Sequence, residues 1–168
     1  MKLPVEMENA LNAQVTLELA SAASYLQMAA YFSHQNLDGM SRWMRAQADE
    51  ERSHANRFLD FILDRGGKAV IGDVAAPRSD FDGAEEVFSV ALSQEEAVTF
   101  AIHDLYRLAN EVGDLACLPF LQDFIAEQTE EEAMVGAIVD RLALADGQSG
   151  ALFILDHELG AREGDPGL

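Results

Sequence analysis

The chain's most chemically loaded stretch is Asp49-Glu50-Glu51-Arg52-Ser53-His54. Glu51 and His54 are three residues apart, so on a helix they share one face about one turn apart. A carboxylate oxygen and an imidazole nitrogen can then reach the same metal ion. Met40, Met44, Gln47, Glu51, His54, Phe58 and Phe61 step by three or four, which places the acid and the imidazole inside an apolar stripe. Unpaired charge is costly there, and a metal ion is one of the few remedies.

The other helical stripes repeat the pattern. Leu11, Val15, Glu18, Ala22, Tyr25, Ala29 and Phe32 mark the inward line of a helix over 6–35, interrupted by Glu18. Phe88, Leu92, Glu95, Thr99, Ile102 and Tyr106 mark a helix over 84–112, interrupted by Glu95. Leu121, Phe124, Gln128, Glu131, Val135, Ile138 and Leu142 mark a helix over 116–145, interrupted by Gln128 and Glu131. One helix thus carries Glu51 with His54, and each of the others carries an acid in phase with its core face. Four buried anions with no cation between them would repel strongly, and bound metal offsets that repulsion.

Oxygen ligands with one imidazole and no thiolate suit iron, manganese or zinc in a non-haem site. A bridged pair of ions would lie about 3.5–4 Å apart. Glu51 is the natural bridge, with Glu18 and His54 completing one ion and Glu95 and Glu131 the other. Gln128 lies beside the second ion as a weak ligand or hydrogen-bond partner. Glu50, Glu127 and Glu130 each precede one of these residues and read as a third, weaker site or an exit path. Tyr25, on the core face near Glu18, is placed to hydrogen-bond a ligand or donate an electron, or simply to pack. His34, His103 and His157 lack comparable partners and read as structural or surface residues.

The elements that must position these residues follow from punctuation. Pro4 suits a first helical turn, and Asn36 to Gly39 forces the second helix, 38–65, back antiparallel. Gly66-Gly67 ends it. Residues 68–83 show no helical period. Helix two, at about 28 residues, is about 42 Å long, and a 16-residue connection can cover about 50 Å. The connection is thus a crossover that starts the third helix parallel to the second, held by apolar anchors. Pro119 is tolerable only in the opening turn of the fourth helix. Ala151–Leu159 forms a short fifth helix, and the tail from Gly160 to Leu168 reads as a frayed end. The fold class is all-α, a four-helix bundle over 6–145 with one long crossover, and the 168 residues form one domain.

Composition sets the exclusions. Thirty acidic residues against 11 basic ones give a net charge of −19, which argues against a nucleic-acid surface. No apolar run is long enough to span a membrane, and Glu6 and Glu8 spoil any signal peptide. Cys117 is the only cysteine, consistent with a reducing, cytoplasmic setting.

At these residues the chain resembles the ferritin family, specifically the non-haem bacterial ferritins. The likeness rests on Leu17-Glu18-Leu19, Glu50-Glu51-Arg52-Ser53-His54, the crossover, Glu95 and Glu127-Gln128-Thr129-Glu130-Glu131, and it covers about residues 5–159. The resemblance implies a ferritin-like bundle and a first ferroxidase iron at Glu18, Glu51 and His54. It implies a second iron at Glu51, Glu95 and Glu131 with Gln128 alongside, a third at Glu50, Glu127 and Glu130, and the tyrosine of the centre at Tyr25. It further implies a homo-oligomeric shell of 24 copies that oxidises Fe(II) with dioxygen or hydrogen peroxide and stores ferric mineral. Haem is not expected. Haem-binding relatives carry a second Glu-x-x-His pair on helix four, where this chain has Gln128 and Glu131, and no methionine lies between Arg52 and Gly66. A peroxide-consuming di-iron protein that stores nothing, and a shell that only binds divalent metal, are the competing readings.

Overall fold

The computed structural model describes residues 2–161; the frayed end expected for the tail falls largely on 162–168, outside the described residues. Five α-helices follow in order: α1 (Val5–His34), α2 (Asp38–Asp64), α3 (Ala84–Glu111), α4 (Cys117–Ala145) and α5 (Ser149–Gly160). Among the described residues no helix is long and apolar enough to cross a membrane.

Helix boundaries fall within one residue of the sequence expectation in α1 to α4. Pro4 is the residue before α1, and its carbonyl accepts the Glu8 N–H. Pro119 is the third residue of α4, where its missing N–H costs nothing. Gly66, with φ +68°, turns the chain out of α2, and Gly66 and Gly67 return their N–H groups to the carbonyls of Leu63 and Ile62. The short helix is longer than expected at both ends: Ser149 and Gly150 join its first turn, and Gly160, expected in the frayed tail, is its last residue.

α1 packs on α2 and α3 on α4, and α1 also lies against α3. The crossover is anchored differently from the expectation. Val70, Ile71 and Val74 stand exposed on the chain. Polar side chains of α1 hold the segment instead: Asn12 accepts the Val70 N–H and donates to the Lys68 carbonyl, and Thr16 accepts the Gly72 N–H. Apolar packing is confined to its two ends: Ala69 lies against one core cluster, and Phe81, near the α3 end, packs against the other, edge-on to Tyr31. An extended strand has unpaired amides along its length, so polar partners on α1 satisfy it where side-chain burial does not.

α5 folds against the start of α2. Leu37 offers α2 no side-chain cap, and Asp156 of α5 takes that role, its Oδ1 accepting the Met40 N–H at 2.7 Å. Gly39 is required by this crossing, since a side chain there would run into the Asp156 carbonyl.

The core has two apolar clusters. One gathers Phe32, Met40, Met44, Phe88, Ile138 and Leu155; the other gathers Leu11, Phe58, Ile62, Ile102, Leu121 and Phe124. Between them lies a polar belt at mid-bundle, made of the acids that interrupt the stripes.

Candidate metal centre

Each stripe delivers its acid to that belt. Glu18, Glu51, His54, Glu95 and Gln128 are all between 0 and 4% exposed. Burial this complete is rare for carboxylates without partners. Ligand atoms of Glu18, Glu51 and His54 lie within 4.8 Å of one another. His54 Nδ1 is 3.2 Å from Glu51 Oε2, while Glu51 Oε1 accepts a hydrogen bond from Ser21 at 3.2 Å. Glu18 Oε1 accepts from the Gln14 amide at 2.8 Å. Glu18 Oε2 is buried with no hydrogen-bond partner.

That orphaned oxygen tests whether the residues fit a cation. A buried carboxylate oxygen with no donor is a standing cost, and here it belongs to a cluster of two carboxylates and an imidazole. A divalent cation would supply the missing partner, and the donor set of oxygen and imidazole nitrogen suits borderline and hard divalent metals.

The α3 and α4 side is arranged differently. Glu95 accepts the Tyr25 hydroxyl on Oε1 and the Gln128 amide on Oε2, the latter at 3.1 Å. Glu131 accepts the Gln47 amide at 2.8 Å and is half-buried rather than enclosed as the stripe implies. It sits at the edge of the belt, three residues past Gln128 in a helix whose next fully buried residue is Val135.

The electrostatics follow burial. Desolvation first, and then the neighbouring Glu51, push the Glu18 carboxyl well above the usual range. Glu51 is raised by burial and by Glu95. Glu131 is pushed up to about 7 by burial, Glu50 and Glu95. Burial and Glu95 also raise Tyr25, so its hydroxyl stays protonated and can only donate to Glu95.

The three outer acids are not drawn into one cluster of free carboxylates. Glu50 and Glu130 are exposed. Glu127 is gripped by Arg57 at 2.7 and 2.9 Å and lies 3.5 Å from His54 Nε2. Arg57 also stacks over Phe124, 3.9 Å from its centroid.

Sequence reasoning missed Gln14, Ser21, Gln94 and Arg57. Gln14 was legible: it precedes Glu18 by four residues, the spacing at which helical side chains meet. Ser21 displaces Ala22 from the inward line, Ala22 being half-buried. Positions 21 and 22 fall about 60° and 40° to either side of residue 18, so periodicity cannot rank them. His34 and His157 are exposed and His103 is half-buried, none near the belt's cluster.

Four long helices and a short fifth, joined by a long crossover and enclosing a cluster of acids and an imidazole, define a helical bundle with a candidate metal site. The ferritin-like domain family matches residues 8–145, and the chain belongs to that family. It is similar to a bacterial non-heme ferritin of Staphylococcus saprophyticus, 37% identical over 160 residues that cover 95% of this chain and 96% of that protein. It is also similar to one of Staphylococcus aureus, 38% identical over 156 residues, 93% of this chain and 94% of the other. Among solved structures, an open pore ferritin from the hyperthermophilic archaeon Archaeoglobus fulgidus superposes with a TM-score of 0.95 at 40% identity. It covers 96% of this chain and 100% of that one.

Proposed function

We propose that the protein is a ferroxidase and an iron store: it oxidises Fe(II) and keeps the product as ferric mineral inside a homo-oligomeric shell of 24 copies. The observation that carries this reading is the buried Glu18, Glu51 and His54 cluster with its unpartnered Glu18 oxygen. Family membership and the similarity to ferritins support iron as the metal.

Iron is the substrate here, and it supplies electrons to dioxygen or hydrogen peroxide. The chain's residues hold and order it. Glu18, Glu51 and His54 receive one ion; Glu51, Glu95 and Glu131 receive the other, with Gln128 at its flank. Burial favours the protonated form of Glu18 and Glu51, and a cation that binds them displaces protons, which offsets part of the charge it brings. Tyr25 orients Glu95 through its hydroxyl and is the side chain placed to lend an electron. Glu50, Glu127 and Glu130 form a more exposed third site, which keeps more water and binds iron more weakly. For Glu127 that role requires its release from Arg57.

The shell gives the net charge of −19 a use, as carboxylates lining an inner wall. Haem is not part of this reading, and the setting is cytoplasmic. Protein purified from haem-replete cells therefore shows no stoichiometric Soret band; one haem per two subunits would place it in another subfamily.

The deciding experiment is native mass together with iron per particle after aerobic ferrous loading. A shell of 24 copies carrying many more irons than its ferroxidase sites is expected. A dimer that consumes peroxide and retains two irons per chain would overturn the storage half. Glu130→Ala tests the third site: it leaves the first fast oxidation intact and changes oxygen consumed per iron on later additions. Unchanged later additions would make Glu130 plain surface charge.

A further inference from the structure

Ser21 is a polar residue on a helix face that otherwise supplies ligands and packing. A helical serine commonly returns its hydroxyl to the carbonyl four residues back. Thr16 and Thr129 do so here, donating to Asn12 and Ile125. Ser21 does not. It is buried, and its hydroxyl reaches across to α2 and donates to Glu51 Oε1.

The reason lies on a third helix. The Gln94 amide of α3 donates to Ser21 Oγ at 2.6 Å. An amide N–H arriving at the oxygen occupies a lone pair, so the hydroxyl's one proton is left to point at the carboxylate. Gln94, Ser21 and Glu51 therefore form a directed relay across α3, α1 and α2. The relay acts on one oxygen only. Glu51 Oε2 is left facing His54.

We propose that Ser21, aligned by Gln94, is a positioning residue for Glu51: it fixes the rotation of the shared carboxylate so that its two oxygens serve different metal ions. This rests on the reading of Glu51 as a ligand common to both ions. A carboxylate on a free rotor can turn both oxygens to one ion. A hydroxyl holding Oε1 opposes that turn, leaving Oε2 with His54 and keeping Oε1 off the first ion and free for a second. The consequence is selective: losing Ser21 weakens the second ion, while the ion at Glu18 and His54 keeps its ligands. Loss of a group that orients a metal ligand typically costs 10–100-fold in affinity.

The test uses the assembled, metal-free protein titrated with Co(II), which does not turn over and reports its ligand field by absorption. The parent and Glu51→Gln come first. A parent that binds fewer than two ions per chain, or an unaltered Glu51→Gln, removes the shared-ligand reading before Ser21 is considered. With that reading standing, Ser21→Ala is expected to bind the first ion with parent affinity and the second at least about 10-fold more weakly, with a changed second-ion spectrum. Gln94→Leu, which keeps the hydroxyl but frees its direction, is expected to shift the second ion the same way by less. Ser21→Thr, which restores the hydroxyl, is expected to recover the second ion. Parent-like affinities and spectra in Ser21→Ala would overturn the proposal. So would equal weakening of both ions, which would mark Ser21 as packing only, and so would a Gln94→Leu protein identical to the parent.

Discussion

The two halves of the polar belt hold their carboxylates in opposite ways. On the α1 and α2 side, Glu18, Glu51 and His54 converge, and Glu18 Oε2 has no protein partner. On the α3 and α4 side, both oxygens of Glu95 are engaged by Tyr25 and Gln128, and Glu131 is engaged by Gln47. The first half offers a carboxylate oxygen that no side-chain donor engages; the second is a closed hydrogen-bond network. Any cation at the second half must displace or share those donors. On the function proposed above, the difference predicts sequential filling, first ion before second, with Glu51 as the link between them.

The largest effect should come from Glu51→Ala, because on the proposed reading it removes the carboxylate common to both halves. Fast ferrous oxidation in stopped flow should fall by more than the roughly 100-fold limit typical of residues outside the ligand set. The folded shell should persist by native mass, since deleting a buried carboxylate also deletes its repulsion of Glu95. Retention of two tightly bound ions would break the comparison at its centre.

Next in size is the contrast between Glu18→Ala and Tyr25→Phe. The first should abolish the higher-affinity ion in a calorimetric titration. The second should leave that ion alone, because Tyr25 touches only Glu95 within the belt, and slow oxidation by about 10-fold through a loosened Glu95. If Tyr25→Phe weakens the first ion instead, the halves are not separable.

Protons give a third test. Glu131 has its folded value pushed up to about 7 against an ordinary 4.5. A raised folded value means the unfolded chain releases its proton first. Stability from this group is therefore complete below about 4.5 and is lost as pH climbs through about 7. Glu18 and Glu51 shift in the same direction and add to the loss. Metal-free protein should melt at progressively lower temperature from pH 5 to pH 8, and Glu131→Gln should flatten that trend. A metal-free protein that gains stability over this window would contradict the electrostatics of the belt.

The smallest effect belongs to Arg57→Ala. It frees Glu127 from its ion pair and removes a cation over Phe124. Half-exposed pairs contribute little, so stability should change by about 1 kcal/mol or less. The first oxidation should be unchanged, and uptake on later iron additions should rise if Glu127 is thereby released to the outer acids.

Much of this molecule is written in local pattern. Glu18, Glu51, His54, Glu95 and Gln128 are legible because each interrupts an apolar stripe in phase, and in-phase acids must be buried together. Helix ends were legible where a residue has a single conformational use, as at Pro119 and Gly66. The donors were not. Ser21 and Ala22 flank the same line, and which one turns inward depends on Glu51 and Gln94 arriving from other helices. Gln47 stood in the stripe of α2, yet its partner Glu131 lies 84 positions away.

The crossover and α5 show the same division. Length alone required residues 68–83 to run back along the bundle, because chain reach is a local quantity. That Asn12 and Thr16 would hold the segment, rather than its own Val70, Ile71 and Val74, depended on which face of α1 it crossed. The sequence by itself determined the helices, their order and the acids they would bury, since periodicity, turn chemistry and the cost of buried charge act within a few residues. Tertiary structure decided the rest. Hydrogen bonds are short and directional, so only the assembled bundle could leave Glu18 with a free oxygen, tie Glu95 on both sides, and set Ser21 on Glu51.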